Sequence, residues 1–102
     1  MPTALRYLIF DLADDADGVV TLQATAATRR DLHAAVGAEV DAVLGWAARE
    51  FPEGPGPIDD GNEWDRDLLV ADDGGWVETT LTLAATPAFA EAFAAEFGSA
   101  GD

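Results

Sequence analysis

The chain has 102 residues, twenty of them acidic against five basic, for a formal net charge of -15, with no cysteine and a single histidine. That acid excess opposes binding to duplex nucleic acid or an anionic membrane, both of which attract proteins through Lys and Arg, and the missing thiols exclude disulfides, thiolate metal sites and a cysteine nucleophile. Hydrophobic residues nevertheless make up 49% of the chain and recur at regular spacings, which predicts one folded domain over 1–102 rather than a disordered acidic tail.

The first strand is predicted over 5–12, LRYLIFDL, with Leu8, Phe10 and Leu12 on one face and Tyr7, Ile9 and Asp11 on the other. This run is interrupted by Arg6 and lacks a basic leader, so it reads as a strand and not as a signal peptide or membrane span, and the expected compartment is the cytoplasm. The turn-rich ADDADG leads to a second strand over 19–26, with Val20, Leu22, Ala24 and Ala26 inward. Thr28 stands as the expected N-cap of a helix, with Asp31 in the manner of a capping box. That helix is predicted to run to about Glu50, its stripe being Leu32, Val36, Val40, Val43, Ala47 and Phe51. Residues 52–62, PEGPGPIDDGN, hold three prolines and three glycines and form the one long loop.

The second half repeats the theme. A strand over 63–71 puts Trp64, Arg66, Leu68 and Val70 on one face, Asp72-Asp73-Gly74-Gly75 makes a tight turn, and a strand over 76–84 puts Val77, Thr79, Leu81 and Leu83 inward. Thr86-Pro87 opens a second helix with Phe89, Phe93 and Phe97 four residues apart, ended by Gly98. Shifted by 58 residues, Leu12-Ala13-Asp14-Asp15 falls on Val70-Ala71-Asp72-Asp73 and Ala26-Ala27-Thr28 on Ala84-Ala85-Thr86. The pattern suggests a ββα repeat over 4–51 and 63–98 joined by loop 52–62, although Val20 and Leu22 then fall on Glu78 and Thr80, against the inward parity. The expected fold is α+β: a two-layer ββαββα sandwich, a four-stranded mainly antiparallel sheet with two helices on one face. The first strand, apolar on both sides, points to a central place and the order 2-1-3-4.

Two helices leave the other sheet face open, where Tyr7, Ile9, Leu69 and Trp76 stand among polar residues as the candidate binding residues. No residue pattern dictates a chemistry. His33 lies beside the helix stripe, and the only serine, Ser99, is near the C-terminus, so no Ser-His-Asp site and no catalytic residue is expected. The run Asp14-Asp15-Ala16-Asp17-Gly18 lacks the spacing of a calcium loop, and Asp59, Asp60, Asn62, Glu63 and Asp65 form a second acidic cluster of a density suited at most to weak Ca²⁺ binding. No cofactor and no metal is implied. The Lys-free, alanine-rich composition fits GC-rich bacterial coding. The sequence therefore points to a non-catalytic, acidic protein-protein interaction module that binds itself as a homodimer, or a basic partner, through the open face. The alternatives are an acidic nucleic-acid mimic, which needs its carboxylates in a spaced row, or a Ca²⁺ or carboxylate-dependent site in 59–65.

Overall fold

The computed structural model describes residues 5, 7–14 and 18–97. Strands β1 (Phe10–Asp14) and β2 (Val20–Arg29) precede helix α1 (His33–Glu50), and strands β3 (Trp64–Asp73) and β4 (Trp76–Ala85) precede helix α2 (Pro87–Phe97). The order is the expected ββαββα. All neighbouring strands pair antiparallel in one four-stranded sheet, and both helices pack on a single face, over β2 and β4. Gly98, expected to end α2, and Asp15 to Asp17 of the first acidic run lie outside the described residues.

The strand order is β1-β2-β4-β3, not 2-1-3-4, so the first strand lies at an edge. Ladder length explains the difference. β2 and β4 are each ten residues long and pair along their whole length, from Val20 with Ala85 to Arg29 with Trp76, whereas β1 supplies only five pairs. The short first strand can satisfy only half the length of a neighbour, so it takes an edge, while β2 and β4, paired over ten residues, form the centre where buried backbone groups must be bonded. The apolar residues on both sides of the first segment have another destination. Leu8 and Phe10 enter the core, while Ile9 is 70% exposed and Leu12, expected inward, is 47% exposed at the sheet rim.

Thr28 is not a helix cap. The β2–β4 ladder runs three residues past the predicted end of the strand, and Arg30 N–H still donates to Gly75 O at 2.9 Å. A single 3-10 turn at Arg30–Leu32 makes the corner, and α1 starts at His33 with no side-chain cap. Thr86 does cap α2, its hydroxyl accepting from Phe89 N–H at 3.3 Å with Pro87 in the first helical position.

The core is built on the even residues of β2 and the odd residues of β4, from Val20 to Ala26 and from Leu81 to Ala85, against Val36, Val40, Val43 and Ala47 of α1. An aromatic cluster fills one end of the core. Trp46 lies 6.1, 5.4, 6.0 and 5.4 Å from the ring centres of Phe51, Phe89, Phe93 and Phe97, and Trp64 stacks on Phe89 at 5.7 Å. Edge-to-face pairs of this kind contribute about 0.5–1.5 kcal/mol each beyond the area they bury. The Glu39 carboxylate of α1 ties down the approach to β1 by accepting from Tyr7 and Leu8 N–H at 3.0 and 2.9 Å.

Candidate interaction surface

Strand β3 departs from the burial rule that the other long strands obey. Trp64 is buried at 1%, Asp65 is half-buried, and every residue from Arg66 to Asp73 is exposed. Arg66, Leu68, Val70 and Asp72 stand on the helix side, opposite Leu83, Leu81, Thr79 and Val77. The expected inward placement of Leu68 and Val70 is thus correct as to face and wrong as to burial. They are 40% and 52% exposed because the helices lie mainly over β2 and β4 and meet β3 at Trp64, leaving this part of the strand uncovered. Leu69, on the opposite face, is 62% exposed, so three consecutive apolar residues meet solvent on both faces of one edge strand.

Hydrogen bonding separates the covered part of this edge from the free part. Thr86 N–H donates to Glu63 O, and the tight turn closes between Asp73 and Trp76, with Gly74 at φ 64°. In an antiparallel ladder bonded pairs alternate, so the odd residues of β3 exchange bonds with β4 and the N–H and C=O of even residues point outward. Two contacts agree with this. The outward carbonyl of Trp64 accepts from Gly56 N–H at 3.1 Å, and the outward N–H of Arg66 donates to the Asp65 carboxylate at 2.8 Å. Loop 52–62 therefore covers the edge at Trp64. The approach is close enough that a Cβ on Gly54 would lie 2.5 Å from Trp64 Nε1, the indole that donates to Phe51 O. From Arg66 to Asp72 that one N–H is the only outward backbone group engaged among the described residues.

β3 carries four carboxylates, Asp65, Asp67, Asp72 and Asp73, and one guanidinium, Arg66. Arg30 Nη2 lies 2.6 Å from Asp72 Oδ1, both side chains well exposed. Arg66 has no ion-pair partner among the described residues.

The four residues expected to form one patch do not gather. Ile9 and Leu69 lie at opposite edges of the open face, with Thr25 and Thr80 of the two central strands between them, hydrogen-bonded to each other at 3.2 Å. Tyr7 is half-buried against the core. Trp76, 57% exposed, lies opposite Arg29 and Asp73 at the end of the sheet and borders a recess of about 280 Å³ with Ala27, Ala71, Asp73 and Glu78. Ala71 links that recess to Leu69 along β3, so Leu69 and Trp76 share one side of the molecule. Sequence reasoning missed Leu68 and Val70, although the run Leu68-Leu69-Val70 was the available signal: three apolar residues in succession cannot all face one layer.

The acidic alternatives find little geometry. No group of three or more acidic or histidine side chains able to hold a metal occurs among the described residues. In 59–65, Asn62 donates to Pro57 O, Glu63 accepts from the Thr86 hydroxyl and Asp65 accepts from Arg66 N–H, so these groups organise the loop and the helix start. On the open face of β3 the carboxylates of Asp65 and Asp67 are separated from Asp73 by Leu69 and Ala71, which breaks the row a nucleic-acid mimic needs. His33 is half-buried, and its Nδ1 has no hydrogen-bond partner among the described residues. No described helix is long and apolar enough to cross a membrane. No family model matches the chain, and no curated protein and no solved structure matches it either.

Proposed function

We propose that this chain is a non-catalytic protein-interaction module that binds through the free edge of β3 and the adjoining open face at Leu69 and Trp76. The observation that carries the reading is the exposure of Leu68, Leu69 and Val70 on a ten-residue edge strand with no bulge or proline to blunt it. Edge strands present unpaired N–H and C=O groups as a template for another strand, and proteins ordinarily protect them. The net charge of -15 adds selection against acidic partners and speeds encounter with basic ones. The test is retention of a binding protein by the immobilised chain in a lysate of its source cells, beside Leu69→Asp. Leu69 is exposed, so the substitution leaves the core intact. The expected result is a protein, or further copies of the chain, held by the parent and lost from the variant; equal retention by both, or none, overturns the reading.

A further inference from the structure

We infer that the occupant of this edge is a second copy of the same chain, joined β3 to β3 in antiparallel fashion about a two-fold axis at Leu69, so that the two sheets become one of eight strands. The inference rests on the interaction reading above and gives it a partner and a register. Three observations fix that register.

The first is hydrogen-bond parity. Only the even residues of β3 direct N–H and C=O groups outward, and an antiparallel ladder forms where such residues face each other. The axis must therefore pass through a residue and not between two, Leu68, Leu69 and Val70 being the choices central to the free edge, and in each case the helices of both copies fall on the same side of the joint sheet. The second is the cover at Trp64. An axis at Leu68 sets Trp64 opposite Asp72 of the second copy, but the Trp64 carbonyl is already taken by Gly56 N–H. An axis at Val70 sets Leu68 against Asp72 and leaves Arg66 beyond the ladder, facing the turn at Gly74. An axis at Leu69 uses the free edge from Arg66 to Asp72 from end to end.

The third is side-chain complementarity. With the axis at Leu69, Arg66 faces Asp72 of the second copy and Leu68 faces its Val70, each twice by symmetry, and Leu69 meets itself. The Arg66 guanidinium, without an ion-pair partner among the described residues, gains a carboxylate, and Arg30 occupies only Oδ1 of that group. The isologous joint offers roughly eight backbone hydrogen bonds, and Arg66 N–H exchanges its bond to Asp65 for one of them. Two terms oppose it. Asp65 faces Asp73 of the second copy just beyond each end, and each copy carries the charge of -15. The second term is screened at physiological salt, where the Debye length is about 8 Å, while the ladder contacts are direct.

Charge exchange tests the register. Arg66→Asp and Asp72→Arg each place like charges opposite one another twice in a self-pair. Mixed together, the two variants set the carboxylate introduced in one opposite the guanidinium introduced in the other, and the unaltered Arg66 of one opposite the unaltered Asp72 of the other, which restores both pairs. Sedimentation of the parent, each variant and the mixture from about 1 to 200 μM at 0.15 M salt should show a concentration-dependent dimer for the parent. Each variant alone should dimerise at least ten-fold more weakly, and the mixture should return to the parent's behaviour as a heterodimer. Circular dichroism of each variant verifies folding. Should a variant unfold, amide hydrogen exchange of the parent supplies the second reading: the N–H groups of Leu68 and Val70 should gain protection as concentration rises, and the N–H of Leu12, which faces outward at the opposite edge, should not. A parent monomeric throughout the range overturns the inference, and so does a dimer whose variants are unaffected or whose mixture is not rescued. The monomer result leaves the interaction reading standing if the lysate experiment retains a different protein sensitive to Leu69→Asp, and both fall if it retains nothing.

Discussion

Thr79 is 2% exposed on the helix side of β4, and its hydroxyl has no hydrogen-bond partner among the described residues. A buried, unbonded hydroxyl costs about 1–3 kcal/mol of desolvation, and a methyl of the same shape avoids that cost. Thr79→Val is therefore expected to raise the unfolding free energy by about 1 kcal/mol, measured by urea titration, and a loss of stability would show that the hydroxyl is satisfied after all. At this scale the sequence was legible where the signal is local. Thr86 caps its helix because the cap lies within three residues of the amide it serves. Trp46 was not legible, because the phenylalanines that surround it come mostly from α2, far along the chain, and spacing along α1 carries no trace of them.

Among the elements, β3 and loop 52–62 act as a unit. The loop crosses the start of the strand so closely that position 54 tolerates no side chain: a Cβ there would lie 2.5 to 2.8 Å from the Trp64 ring and carbonyl. Gly54→Ala must displace the loop or the indole, and with the indole goes its bond to Phe51 O. The expected loss is about 2 kcal/mol, on the scale of overpacking a tight site, together with faster hydrogen exchange at Gly56 N–H. Unchanged exchange would separate the loop from the strand. The alternation of apolar residues gave β2 and β4 nearly whole, because each is flanked by strands on both sides and buries one face continuously. Alternation says nothing about which strand is a neighbour, so the edge position of β1, and with it the separation of Ile9 from Leu69, had to come from the ladders. The candidate surface was half legible for that reason: Leu69 and Trp76 follow from parity, whereas the exposure of Leu68 and Val70 depends on where the helices stop.

For the whole molecule, twenty acidic side chains on a chain with five basic ones set a field that opposes compaction and association alike. At about 10 mM salt the Debye length is near 30 Å, comparable to the molecule's extents of 40 × 29 × 24 Å, and at 0.15 M it is about 8 Å. The thermal midpoint is thus expected to rise by several degrees between those salt concentrations, in sodium chloride and without divalent ions. A midpoint that does not move would mean that the carboxylates are too well separated for their repulsion to matter. The exposed ion pair of Arg30 with Asp72 is too weakly held to reverse the trend.

The three tryptophans divide by environment: Trp46 is 6% exposed and Trp64 1%, while Trp76 is 57% exposed beside the turn that ends β3. Light emission from the chain is accordingly split into two colours. The enclosed pair emits towards the blue and is shielded from a dissolved quencher until the fold opens, while the outer indole emits towards the red and is quenched at once. One cuvette then follows two events without any added dye, loss of the interior through the first signal and occupation of the β3 side through the second.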